Sequence, residues 1–161
     1  MSKMLFTNAN QILVIVNRIT EELFQTKDLG LNARALALRL KQQISESHNN
    51  HLLQLNDFLS IGSCILRLMD LEHQNFSTPT FADFLLEKHR KYGAEPILET
   101  GMLGIQFRMI SKINRFLNMQ EQRMRNSNVQ TKVDEEDTLS DILGYVVLGY
   151  QYLTEPQIYS E

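Results

Sequence analysis

Apolar residues return along most of this chain at intervals of three and four, which is the period of an α-helix. The first such segment, about Asn8 to Gln25, places Ile12, Ile15, Val16, Ile19 and Leu23 on one side. Ile12 to Val16 alone would also suit a buried strand, but the continuation through Arg18, Glu21 and Glu22 favours helix. Lys27-Asp28-Leu29-Gly30 reads as a turn. A second helix is expected from about Asn32 to Ser47, rich in Ala and Leu, with His48-Asn49-Asn50 breaking it. The third, about Leu52 to His73, is apolar on more than one side and is therefore expected to be the central core helix.

Gln74 to Thr80 reads as a loop, and Thr80 with Asp83 resembles a capping box. A fourth helix follows from about Phe81 to Tyr92 and ends at Gly93, as helices commonly end at glycine. Pro96 to Gly101 is a connection or the first turn of the next element. The fifth helix is expected over Met102 to Gln120, then a polar loop over Glu121 to Val133. The sixth covers Glu135 to Leu153, with a short frayed tail from Thr154. No internal repeat and no sustained strand alternation appears, so the expected architecture is an all-α bundle of about six helices.

Composition narrows the picture. Hydrophobic residues make up 43% and charged residues 22% of the 161, the balance of a folded domain. The net charge of −3 disfavours general nucleic-acid binding. Cys64 is the only cysteine, which excludes an internal disulfide and a thiolate zinc site, and its apolar surroundings mark it as core. His48, His51, His73 and His89 show no metal-ligand spacing. The longest apolar runs fall short of the ~20 residues of a membrane span, and the beginning of the chain lacks a signal-peptide pattern, so a cytoplasmic location is expected. No glycine-rich phosphate loop of the nucleotide-kinase or dehydrogenase kind is present.

Two charged faces remain as candidate chemistry. On the fifth helix Arg108, Lys112 and Arg115 share a face, and no acidic residue lies between Gly101 and Gln120 to neutralise it. On the sixth, Asp137 and Asp141 lie one turn apart, preceded by Asp134, Glu135 and Glu136. Acidic residues in a first turn are stabilised by the helix dipole, with Asp134 as a natural N-cap, which accounts for all of these except Asp141. The faces suit two arrangements: ion pairs with each other, or a site where carboxylates hold Mg²⁺ and cations hold phosphate. Gly144 and Gly149 inside the sixth helix would admit a close neighbour, either a helix or a ligand.

Three blocks, Lys91-Tyr92-Gly93-Ala94-Glu95-Pro96, Arg108 to Arg115 and Glu136 to Tyr145, occur in that order. Together they resemble the nucleotide modification associated domain 1 family of phages and bacteria, which is related to the all-α MazG-like nucleotide pyrophosphohydrolases. The resemblance covers about Glu87 to Leu153. It implies a helical domain over 76–161 that binds a nucleotide, uses Mg²⁺ and forms a homodimer or higher homo-oligomer. By this resemblance Lys91, Tyr92 and Gly93 edge the nucleotide pocket, Arg108, Lys112 and Arg115 face phosphate, and Tyr145 forms part of the wall. Asp137 and Asp141 would hold metal, with Glu136 a further acidic group. The chain departs from the pattern at Ser111, where an Asp commonly precedes the Lys, and at Thr138, where the second acidic pair of the pyrophosphohydrolases has Glu. Glu95 with Glu99, or Asp83 with Glu87, are the nearest substitutes for the first acidic pair.

The expectation is accordingly a nucleotide-binding protein that hydrolyses a nucleoside triphosphate or modified nucleotide. The incomplete acidic set supports an alternative, a non-catalytic phage-type protein that sequesters a cyclic or signalling nucleotide against host defence. A helical protein-interaction module, with both charged faces spent on internal ion pairs, is the third. Residues 1–75 would complete the core or form a dimer interface.

Overall fold

The computed structural model describes residues 3–26, 30–50, 52–154 and 159–160. The expected turn over Lys27 to Leu29 and most of the tail lie outside the described residues. Six helices follow one another: α1 (Ala9–Gln25), α2 (Ala33–Asn50), α3 (Leu55–Leu71), α4 (Thr78–Tyr92), α5 (Glu95–Arg125) and α6 (Lys132–Thr154). Two short strands, β1 (Lys3–Met4) and β2 (Tyr159–Ser160), pair antiparallel with Lys3 opposite Ser160. The all-α bundle read from periodicity is the observed architecture, and among the described residues no helix is long and apolar enough to cross a membrane.

Local chemistry sets the boundaries. Asn8 caps α1 by accepting the Gln11 N–H at 3.2 Å, which satisfies one orphan donor of the first turn. Asp57 accepts the Gln54 N–H at 2.7 Å at the start of α3. Gly93 closes α4 with φ 72, a backbone region that costs glycine little.

Several boundaries correct the sequence reading. α2 continues through His48 to Asn50, so that polar triplet ends the helix without shortening it. α4 begins at Thr78 behind Ser77, with Pro79 in the first turn, so Thr80 and Asp83 sit inside the helix and form no capping box. α5 is far longer than expected. Glu95 to Thr100 is helical, with proline tolerated in the first turn, and Gly101, at φ 64 and ψ −155, leaves the helical conformation and separates this short piece from the long one that starts at Met102. At its far end Glu121 to Arg125 extends the helix, because Gln, Glu, Arg and Met are good helix formers and Asn126 is the first break. α6 starts at Lys132, which puts Asp134 in its first turn rather than at the N-cap.

One core runs through all the helices, joining Ile12 and Ile19, Leu40, Ile65, Leu85, Ile113, and Val146 among others. Burying each such side chain contributes about 1.5–3 kcal/mol. α1, α2 and α3 are thus part of the same hydrophobic cluster as the C-terminal helices. Two glycines permit close contacts between helices. A Cβ on Gly62 would lie 2.9 Å from Ile19, and one on Gly149 would collide with the Phe58 ring. The N-terminal segment is clamped at Leu5, whose N–H donates to His89 Nε2 at 2.7 Å and whose carbonyl accepts from Gln151 at 3.0 Å.

Candidate functional site

α4, α5 and α6 meet around a cavity of about 390 Å³, within the usual range for small-ligand pockets. α4 supplies Phe81, Phe84, Leu85, Lys88, His89 and Tyr92. Their spacing of three and four places them on one face of the helix. The kinked first part of α5 contributes Pro96 and Ile97, and its straight part contributes Arg108 and Lys112 one turn apart. α6 contributes Ser140, Asp141, Gly144, Tyr145 and Leu148. Gly144 lets α4 approach, since a Cβ there would stand 3.2 Å from Leu85.

Asp141 is the electrostatic centre. Lys88 Nζ donates to its Oδ1 at 2.9 Å and Lys112 Nζ to its Oδ2 at 3.0 Å. Burial pushes the Asp141 carboxyl up, but the two ammonium groups outweigh that and hold it below its ordinary value. Lys88 also lies 4.8 Å from the centroid of the Phe84 ring, a cation–π contact. Arg108 donates to Thr100 Oγ1 at 3.2 Å, and no carboxylate among the described residues pairs with it. The walls therefore carry Lys88, Arg108 and Lys112 against Asp141 alone, leaving two positive charges unneutralised.

His89 closes the inner wall. It is buried, stands edge-on to Phe6 with ring centroids 5.8 Å apart, and accepts the Leu5 N–H. Burial lowers its pKa to about 4, so near neutral pH it is an uncharged acceptor.

No protein-family model, curated protein or solved structure matches this chain. The site is therefore argued from its own geometry.

Of the residues singled out in the sequence, Tyr92, Gly93, Arg108, Lys112, Asp141 and Tyr145 share the cavity wall. Asp137 faces an adjoining cavity that also reaches Asp141. Lys91, Arg115 and Glu136 line neither. Lys91 and Arg115 are exposed, and Lys91 Nζ sits 5.5 Å from the Tyr92 ring centroid. Thr138 is buried and donates to the Asp134 carbonyl at 2.7 Å, so it turns toward the helix backbone rather than to the site. Ser111 is exposed. Sequence reasoning missed Lys88, Phe84, His89 and Ser140. The recurrence of Phe84, Lys88 and Tyr92 at intervals of four was the available signal for the first two.

The donor set does not fit a metal ion held by this protein. Both oxygens of Asp141 are engaged by ammonium groups, Asp137 is the one other carboxylate on these walls, and no group of three or more His, Cys, Asp or Glu among the described residues is placed to hold an ion. A divalent cation at Asp141 would have to stand beside two ammonium charges, which Coulomb repulsion opposes. What the arrangement suits is an anion: ammonium and guanidinium donors at a half-open mouth, over an apolar floor of Leu85, Ile97 and Leu148.

Proposed function

We propose that this protein binds a small phosphorylated ligand of the nucleotide class in the cleft between α4, α5 and α6, without needing a metal ion. The observation that carries the reading is the surplus of cations on that wall, with Lys88 and Lys112 on either side of one carboxylate and Arg108 lacking an acidic partner among the described residues. Phosphate oxygens would take over part of the lysine coordination now given to Asp141, and Arg108 would add a planar, paired donor. The exposed ring of Phe84 on the cleft wall offers a face for a base to stack on. The resemblance of the three sequence blocks to a nucleotide-handling family supports the same ligand class.

Binding with retention of the ligand is preferred to hydrolysis. Cleavage by metal-held water needs carboxylates free to hold the metal, whereas Asp141 is held by two lysines. A thermal-shift screen of nucleoside triphosphates, monophosphates and cyclic nucleotides, in EDTA and in Mg²⁺, tests the proposal. A ligand at one hundred times its Kd raises stability by about 2.7 kcal/mol. The expected outcome is a shift in EDTA with the ligand recovered intact. A shift that requires Mg²⁺ with release of phosphate would replace this reading with the hydrolase. No shift with any nucleotide would leave the helical interaction module.

A further inference from the structure

A second cavity lies against the first. It is lined by Asn75, Phe76, Ser77 and Thr80 from the loop before α4 and its first turn, by Phe81, Phe84 and Lys88 farther along α4, and by Asp137, Ser140 and Asp141 of α6. Its volume is about 680 Å³. Five residues (Phe81, Phe84, Lys88, Ser140 and Asp141) line both cavities. The Lys88–Asp141 ion pair, with Phe84 beneath the ammonium, is thus a thin partition between two chambers rather than the back wall of one.

The chambers differ in charge. The first has three cations and one carboxylate. The second has one cation, Lys88, and two carboxylates, Asp137 and Asp141, together with the Asn75 amide and the hydroxyls of Ser77, Thr80 and Ser140. A phosphate is attracted to the first and repelled from the second. The second offers acceptors, an amide and three aromatic rings, which suit an uncharged planar ring system bearing N–H and O–H donors.

We infer that the second chamber is a subsite for the base-and-sugar end of a bipartite ligand whose phosphates lie in the first, with Asp137 and Asn75 as specificity-determining acceptor and donor. This rests on the proposed anion cleft and adds to it which end of the ligand lies where. It also gives Asp137 a role that involves no metal: its carboxylate accepts hydrogen bonds from ring or sugar donors.

The test is calorimetric titration, in EDTA, of the full-length protein with inorganic pyrophosphate, with the four common ribonucleosides and with their triphosphates. The variants are Asp137→Asn combined with Asn75→Ala, and Lys112→Gln; 75 and 137 are exposed positions, so the fold is expected to persist, and thermal unfolding of each variant checks that it does. The inference predicts that at least one triphosphate binds tenfold or more tighter than pyrophosphate. It further predicts that the double variant removes that advantage while leaving pyrophosphate binding within about twofold, and that Lys112→Gln weakens both probes. Pyrophosphate binding with no gain from any base and sugar, or a triphosphate advantage that survives the double variant, overturns the second subsite and leaves the anion cleft standing. Failure of every probe to bind overturns both.

Discussion

α5 and α6 are bridged by charge at two places, and the two bridges are built differently. Toward the C-terminal end of α5, Arg123 faces two carboxylates. Its Nε and Nη2 reach Glu135 at 2.9 and 3.0 Å, and Nη2 also reaches Glu72 at 3.1 Å. Glu135 is only 2% exposed and accepts from Thr131 as well, while Gln120 donates to Glu72 and shares Arg34 with the Leu117 carbonyl. Hydrogen bonding to Glu135 raises the Arg123 pKa further, against the opposing effect of burial. That cluster ties the loop after α3 and the starts of α2 and α6 to α5. It sets two guanidinium groups, Arg34 and Arg123, against two carboxylates, Glu72 and Glu135, in a shared hydrogen-bond network. At Asp141 that balance is absent: one carboxylate serves two flexible ammonium groups beside open space. A structural clasp satisfies its charges internally, whereas a site leaves charge and volume unspent.

That contrast predicts opposite outcomes for stability and binding. The largest effect on stability is expected at the clasp. Glu135→Ala removes two charge-assisted hydrogen bonds of Arg123, which is partly exposed and keeps Glu72, and should cost about 3 kcal/mol, read from the urea midpoint, while nucleotide binding by the remaining folded protein is unchanged. A loss below 1 kcal/mol would put the clasp in the same class as an exposed pair.

His89 gives the next effect. Its pKa is about 4 in the folded protein and 6.5 when unperturbed, so between those values the unfolded chain binds the extra proton. Its contribution is complete above pH 6.5 and is lost as pH falls through about 4. The loss is at most about 3 kcal/mol. Unfolding measured from pH 7 to 4 should fall more steeply in the native protein than in His89→Gln, whose amide can still accept the Leu5 N–H. Parallel curves would mean that His89 does not carry the acid sensitivity.

Gly149→Ala drives a methyl into the Phe58 ring. It should cost about 1–3 kcal/mol by overpacking, visible as a lowered melting temperature with ligand affinity intact. At the open bridge the effect on stability is smallest. Lys112→Gln removes one partly exposed pair and should change stability by under about 1 kcal/mol. Asp141→Asn sharpens the comparison further, because it removes the carboxylate that competes with phosphate for both lysines. Pyrophosphate should then bind as tightly as in the native protein or tighter, whereas a metal role for Asp141 would require binding or turnover to collapse.

The helices were legible because apolar spacing survives wherever one face is buried: Ile12, Ile15, Val16 and Ile19, continued past Arg18, Glu21 and Glu22, mark α1 as helix rather than strand. What periodicity could not supply were ends governed by local chemistry. Pro96 looks like a break, yet a proline in a first turn is compatible with helix, and the chain is helical from Glu95 up to the interruption at Gly101. Glu121 to Arg125 looks like a loop because it is polar, yet a solvated helix end needs no apolar stripe. At the site, Arg108 and Lys112 stood out as members, with Arg115, of a basic face that no acid neutralises, and Asp141 as an acid lying beyond the first turn of α6. Lys88 did not, because it stands in the basic run Lys88 to Lys91, where any one charge reads as solvated. The pairing of Asp141 with α4 is a tertiary fact, and no spacing within α6 encodes it.

The central claim is that the wall formed by Lys88, Arg108 and Lys112 is an anion site that needs no metal. The most direct measurement is the equilibrium binding of inorganic pyrophosphate in EDTA, compared between the native protein and Lys112→Gln at matched ionic strength. The account predicts saturable binding at one site, weakened about tenfold or more by the substitution, with the melting temperature nearly unchanged. Absence of binding without Mg²⁺, or binding indifferent to Lys112, would contradict it.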